Sequence, residues 1–356
     1  MGIFDFIKSV VKHDVKENKP SENDLNDISG INKNVGFPNR DEIDRVYSRL
    51  FDGLLIGEIV FLDWANGKSV SAVVPGYFSY IYGINWINSE KKLIECDMLR
   101  YGEAFEGLIA LKVSDLKRIL EEHNLPKTGK KAQLIETIKG NVTEKDYSSL
   151  VPKTWKLTHK GELIIQKYHH VIWAHNFGSN SSVVNPGTMI LNYQSPESSE
   201  ELALGLSEKA IINDIKNLNY GLARINLSYQ AKIKQSTGDF LGAVDAALLA
   251  VMLELTGVGN TGNNGYIFIS EHAVSANGLK ATIIENQAKL EIGSDQILSR
   301  AKTIYTSYDK QLSQVRLFRT QKEFVTGLDI LLNGTLDDFN SLISKWYKRL
   351  PEENKI

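Results

Sequence analysis

The stretch LKVSDLKRILEEHNLPKTGKKAQLIETIKGN, residues 111–141, predicts two short helices joined by an extended segment. Ser114 is a suitable N-cap for the first helix. An apolar stripe at helical spacing follows the cap and consists of Leu116, Ile119 and Leu120. Because Pro126 disfavours helical geometry at the residue before it, the helix should end near Asn124 and leave Leu125 as an extended apolar plug.

A second helix is predicted to start at Thr128 and Gly129 and to stop at Gly140. Its apolar stripe, complementary to the first, consists of Leu134, Ile135 and Ile138. Two short helices and a plug bury only a very small core, so the unit is expected to lean on its neighbours.

Charge in this stretch is more informative than its apolar pattern. The chain as a whole has a formal net charge of -2, which argues against a surface coated in basic residues. Locally, seven basic side chains outnumber four acidic ones. The basic residues are Lys112, Lys117, Arg118, Lys127, Lys130, Lys131 and Lys139, and the acidic ones are Asp115, Glu121, Glu122 and Glu136.

The start of the second helix is the predicted phosphate site. A helix N-terminus exposes backbone N–H groups and the positive end of the helix dipole, which together bind anions. Lys127, Lys130 and Lys131 add ammonium groups there, and Gly129 has no side chain to keep a phosphate away from the backbone. The candidate nucleic-acid-binding residues are therefore Lys127, Gly129, Lys130, Lys131, Lys117, Arg118 and Lys139. Solvated lysines on a protein-packing unit remain the alternative.

This stretch resembles the SAP motif. The shared pattern is Leu116-Lys117, Leu120, the plug Leu125 and the run from Gly129 to Leu134. The resemblance implies a helix-extended-helix module that binds DNA, often AT-rich duplex, as an accessory part of a larger protein. Many SAP sequences have an arginine where this chain has Thr137, so one phosphate contact is missing unless Lys139 replaces it.

The flanks carry a second resemblance. Residues 82–85 and 157–161 look like SAP-domain proteins of Gram-positive bacteria and their phages, and the latter is similar to the end of a winged-helix wing. A winged helix would place its recognition helix near Ser89 to Leu99. Lys91 and Lys92 are balanced there by three acidic residues, which makes a poor surface for phosphates. A generic helical hairpin fits this segment equally well.

The fold class predicted for the whole chain is mainly α with a minor α+β part. The expected domains are an N-terminal helix with a polar tether at 1–40, a small α+β part at 41–110, the SAP-like module at 111–141, a strand-helix continuation at 142–176 and a helical domain at 185–356. In the last of these the predicted helices are 196–218, 239–255, 279–308, 321–332 and 336–350.

The smaller N-terminal elements are also predicted from apolar spacing. Residues 41–55 should form a helix and residues 159–172 another, capped by Thr158. Short β-like runs are expected at 70–74 and 155–157, and a short strand or buried turn at 59–62. Gly83 should divide two helices, with Ser89 as the cap of the second.

The 356 residues include a single cysteine, Cys96, which excludes internal disulfides and multi-cysteine zinc sites. No signal peptide or membrane span is expected, since the apolar start is short and 243–255 is too short to cross a bilayer. These features predict a cytoplasmic protein.

Other chemistry gives no predicted site. His169 and His170 are neighbours that point different ways on a helix, and 257–265 is glycine-rich but lacks the Lys-Ser/Thr step of a phosphate loop. Asp245 on an apolar helix is expected to have a polar or charged partner. No catalytic residue, metal or cofactor is therefore predicted.

Three functional hypotheses follow. The preferred one is a non-enzymatic protein that holds duplex DNA by its phosphates, with the helical domain for oligomerisation or partner binding. The second is an interaction scaffold without DNA contact, and the third is a nuclease or defence effector with its site in the C-terminal half.

Overall fold

A computed structural model of the protein describes residues 45–177, 183–194, 197–259 and 269–352, apart from the side chains of 269–277. The predicted N-terminal helix and tether, 1–40, and residues 260–265 of the glycine-rich connector lie outside the described residues. The described chain divides into two compact units, one of 45–177 with 185–194 and 197–199, the other of 183–184 and 200–352. Both are mostly helical, which confirms the mainly α prediction.

The N-terminal unit consists of short elements. In chain order they are α1 (Ile56–Ala65), α2 (Tyr77–Tyr80), α3 (Trp86–Glu95), β1 (Leu99–Tyr101), α4 (Ala104–Gly107), α5 (Val113–Glu122), α6 (Lys131–Asn141), α7 (Glu144–Tyr147), β2 (Trp155–Leu157), α8 (His159–Lys167), α9 (His169–Phe177) and α10 (Pro186–Asn192).

Strands β1 and β2 pair antiparallel, with Leu99 opposite Leu157 and Tyr101 opposite Trp155. Residues 66–70 run along the other side of β2, where the Trp155 N–H donates to the Lys68 carbonyl at 2.9 Å and the Val70 N–H donates to the Lys153 carbonyl. The SAP-like stretch lies between the two paired strands in sequence, so pairing brings its two ends together.

Helix α1 is the centre of the larger N-terminal core. Residues 59–62 of this helix were predicted as a short strand or buried turn, which is wrong because an apolar run buried on nearly every side shows neither period clearly. Its one buried carboxylate, Glu58, accepts hydrogen bonds from two side chains of α3, Lys92 Nζ at 2.6 Å and Ser89 Oγ at 3.4 Å. Ser89 is therefore buried inside α3, and the N-cap is Asn85, whose side chain accepts from the Asn88 N–H.

Other N-terminal expectations are partly corrected. Residues 70–74 form no strand and Val73 is exposed, whereas the strand at 155–157 and the Thr158 cap are confirmed. The described part of 41–55 is helical only at 45–47, and the helix expected at 159–172 is two helices that meet at Tyr168. Gly83 does separate α2 from α3, with a φ of 64°.

The C-terminal unit is built of longer helices. They are α11 (Ser199–Lys216), α12 (Tyr220–Ser236), α13 (Phe240–Leu255), α14 (Ile269–Leu290), α15 (Ser294–Tyr308), α16 (Gln321–Asn333) and α17 (Leu336–Lys348). Helix α13 is buried around most of its circumference and packs against α12 and α14. Within the described residues no helix is long and apolar enough to cross a membrane.

Two predictions for this unit were wrong: one helix was missed, and two helices were predicted as one. Helix α12 was missed because buried polar residues, among them Asn226 and Gln230, interrupt its apolar pattern. The single helix expected at 279–308 is two helices, since Glu291 adopts a φ of 54° and Gly293 caps α15.

Two carboxylates in the C-terminal core differ in how they are accommodated: one is paired with an arginine, and the other has a raised pKa. Asp245 accepts from Arg300 Nε at 2.7 Å, which confirms its expected partner. Asp214 is 1% exposed and accepts only from Asn226 Nδ2 at 3.2 Å among the contacts described for it. Burial raises the pKa of Asp214 to about 6.

Replacing Asp214 with Asn should stabilise the C-terminal unit at neutral pH. The carboxyl has a folded pKa above its ordinary 3.8, so it favours folding while protonated and loses that contribution as the pH rises through about 6. We expect D214N to raise the free energy of unfolding by about 2–3 kcal/mol near pH 7.5 and by little near pH 4. Urea unfolding at both pH values, with the exposed Asp329→Asn as control, tests this. An equal effect at both would contradict it.

Candidate nucleic-acid interface

The predicted two-helix module has its own small core. Both apolar stripes are buried, with Leu116, Leu120, Leu134 and Ile138 at 0% exposure, which confirms the pattern. Leu125 packs against this core as a partly buried plug. Further contacts come from the flanks, through Leu108, Val142 and Tyr147. The module therefore does lean on its neighbours.

The predicted helix ends need correction. Helix α5 begins at Val113 without a side-chain cap, so Ser114 is inside it. Helix α6 begins at Lys131, two to three residues later than expected, and Gly140 lies within it because the helix continues to Asn141. The first helix does end before Asn124, whose φ is 55°.

Gly129 holds the backbone in a conformation that favours glycine. Its φ is 124°, and a Cβ there would lie 2.7 Å from Gln133 Oε1. That oxygen accepts the Lys130 N–H at 2.8 Å, which is one half of a capping box. The sequence prediction missed this contact, although Gln three residues after the N-cap is its usual signal. Gly129 thus acts through the turn, where it lets Gln133 close over the start of α6.

The first turn of α6 keeps donors available. Among the described residues, no acceptor meets the backbone N–H of Lys131 or Ala132. Residues 126–130 are all exposed, so this corner is open to solvent in the N-terminal unit. Free amides at the positive end of a helix dipole can bind an anion.

The three lysines at this corner differ. The ammonium group of Lys130 has no partner in the part of the chain that the structure describes. Lys127 Nζ lies 2.5 Å from Glu121 Oε1, in an exposed pair of the kind worth about 0–1 kcal/mol, so a phosphate can displace it. Lys131 Nζ donates to the Ile109 carbonyl at 2.6 Å and points back along the module.

The remaining candidates are spread over the module. Lys117 is exposed on α5, and Arg118 beside it lies 3.9 Å from Asp115. Lys139 is about 12 Å along α6 from Lys131, given a rise of about 1.5 Å per residue, so it does not join the corner. It pairs with Glu136 at 3.2 Å, while the Thr137 hydroxyl donates to the Gln133 carbonyl.

The three histidines at 169, 170 and 175 do not form a metal site. His170 is buried, His175 Nδ1 is 2.7 Å from the Tyr82 hydroxyl, and His169 is exposed, so the three do not converge. No group of three or more His, Cys, Asp or Glu residues suited to a metal exists among the described residues.

The geometry is that of a helix-extended-helix module with an open, cationic helix start. The SAP-domain family model matches residues 110–143, so the chain contains a SAP domain, and this indicates nucleic-acid binding. The match covers that segment alone. No curated protein matches the chain.

Substituting Gly129 with Ala should loosen the start of α6. The added Cβ meets Gln133 Oε1 and is strained at this φ, a cost of about 1–3 kcal/mol. We expect faster amide hydrogen exchange in α5 and α6. Gly140→Ala is the matched control, since a Cβ there meets nothing within 4 Å and alanine favours a helix. Slower or unchanged exchange in Gly129→Ala would refute the role given to this residue.

Proposed function

We propose that the protein is a DNA-binding accessory protein of the bacterial or phage type that holds duplex by its phosphates through the SAP domain. The observation that carries this proposal is the exposed start of α6, where free amides of Lys131 and Ala132 lie next to the free ammonium group of Lys130. Phosphate contacts of this kind position a protein on DNA without reading its sequence. Lys127 joins when its exposed pair with Glu121 opens.

We also propose that the rest of the N-terminal unit is a winged-helix-like frame. Its support is the order α1, residues 66–70, α2, α3, β1 and β2, with β2 between β1 and residues 66–70. In this proposal the SAP domain occupies the place of the wing, between the last two strands.

The DNA contact is assigned to the SAP domain and not to α3. The exposed positions of α3 are Ile87, Asn88, Lys91 and Glu95, and the last two lie 3.9 Å apart. Glu90 on the same helix is occupied by Trp155 Nε1 at 2.7 Å. This face has no excess of positive charge, so it offers phosphates little attraction.

Substituting the three lysines at 127, 130 and 131 with Ala should weaken duplex binding by the full-length protein. Each lost phosphate contact lowers the slope of log affinity against log salt by about 0.9, so the slope should fall by about 2–3. Fluorescence anisotropy with a duplex across a salt series measures both quantities. Lys130→Ala alone should have a larger effect than Lys131→Ala, because Lys131 is bound to the Ile109 carbonyl.

The control for this experiment is Lys322→Ala, an exposed lysine in α16 of the other unit. Wild-type affinity and slope in the triple variant would overturn the contact assignment. If the wild type also fails to bind duplex at low salt, an interaction scaffold without DNA contact is the better proposal. Metal-dependent cleavage of the DNA would instead favour an enzyme.

For the helical C-terminal unit we propose a role in oligomerisation or partner binding. It carries several large exposed apolar side chains, namely Ile212, Ile225, Leu241, Ile284 and Leu336. Exposed apolar area of this kind is a common feature of association surfaces. Light scattering on the full-length protein, with each of these positions changed to Lys, should show a smaller mass for at least one variant. A monomeric wild type would leave partner binding as the role.

A further inference from the structure

An open cavity of about 510 Å³ lies in the N-terminal unit, away from the SAP domain in sequence. Its wall is formed by the end of α8, the start of α9, α10 and the segment before α1. Aromatic rings are its main feature, contributed by Phe51, Tyr168, His169, His170 and Tyr193.

Three of these rings form a corner. Tyr193 is stacked on His170, with centroids 4.0 Å apart and planes at 10°. His169 stands perpendicular to both rings, at 5.5 Å from His170 and 5.4 Å from Tyr193. A stack closed by a perpendicular ring presents flat and edge surfaces together, which suits a planar aromatic ligand.

His170 is the polar group at the base of the corner. The residue is 2% exposed, and neither ring nitrogen has a hydrogen-bond partner among the described residues. Burial lowers the pKa of His170 to about 4, so the ring is neutral at physiological pH and offers one donor and one acceptor. Because Tyr193 covers this ring, the neutral imidazole forms an uncharged base for the corner.

Positive charge lies beside these rings. Lys167 lines the cavity, and its Nζ lies 2.5 Å from Asp52 in an exposed ion pair that an anion can open. The guanidinium group of Arg49 lies 5.4 Å from the ring centroid of Phe51, and Phe51 lines the cavity. Lys167, Arg49 and Asp52 together carry a net positive charge, so a cationic ligand is disfavoured and an anionic one is favoured.

We propose that this cavity binds a nucleotide, with its base in the His169–Tyr193 corner and its phosphate at Lys167. A nucleobase has the flat ring that can stack beside the His169 and Tyr193 rings, while Tyr193 covers the buried imidazole of His170 and so keeps it out of contact with the base. A free nucleotide and an unpaired nucleotide within a single strand both offer a base and a phosphate of this kind.

The first test is a titration of the full-length protein with adenosine 5′-monophosphate, followed by NMR of the histidine rings and by calorimetry. We expect saturable binding that shifts the ring signals of His169 and His170, with adenosine and inorganic phosphate each binding more weakly. No saturable binding by the nucleotide would overturn the proposal. Saturation by N-acetyltyrosine amide instead would assign the cavity to a protein side chain and also overturn it.

Variants locate the binding. His169→Ala removes an exposed ring, so folding should be unaffected, and nucleotide affinity should fall about tenfold. The nucleotide affinity of Tyr193→Ala should fall by a similar factor, whereas Tyr193→Phe should retain binding. The matched control is His159→Ala, an exposed histidine at the start of α8. Wild-type affinity in both His169→Ala and Tyr193→Ala would overturn the proposal.

Competition identifies the source of the nucleotide. Displacement of the monophosphate by a short single-stranded oligonucleotide indicates an unpaired nucleotide of a strand, and no displacement indicates a free nucleotide; both support the site. The Lys127/Lys130/Lys131 alanine variant should bind the monophosphate as the wild type does. Loss of binding in that variant would place the nucleotide at the SAP domain and overturn the assignment to the cavity.

Discussion

The antiparallel pairing of β1 with β2 is the constraint on which the N-terminal unit depends. Leu99 and Leu157 are opposite each other, although 57 residues separate them, and the SAP domain lies between. A module of two short helices buries too little apolar surface to be stable alone. The two strands hold the ends of the SAP domain together. Strand pairing and the aromatic core beneath the strands, where Trp155 packs against Phe61, offset the entropic cost of closing this loop.

In the N-terminal unit, the groups that stabilise the fold are different from the groups proposed to bind phosphate. The buried carboxylate of Glu58 in the frame is satisfied internally by Lys92 and Ser89, so it leaves no charge for a ligand. The open helix start in the SAP domain is the reverse, since the amides of Lys131 and Ala132 and the ammonium group of Lys130 have no described partner. Anion binding requires such groups to be held in place but not neutralised, and the turn at Gly129 does this.

The sequence predicted the SAP domain well because its signals are local. Apolar spacing places Leu116, Leu120, Leu134 and Ile138 in the core, and Pro126 requires a break between the helices. It was less accurate at helix ends, where Lys112 and Lys130 act as N-caps without the usual side chains. The missed helix α12 and the misread helix α1 share a cause, since burial on most sides weakens periodicity.

By itself the sequence determined the mainly α class, the two-helix module and the residue types of the proposed phosphate site, because each depends on neighbours in the chain. Only the tertiary structure decided which lysines are free. Lys131 is engaged by the Ile109 carbonyl, 22 residues away, and Lys139 lies on a different part of the module from Lys130. It also brought Tyr193 onto His170, although the two residues are 23 positions apart in the chain. Such contacts join residues far apart in sequence, so no local pattern records them.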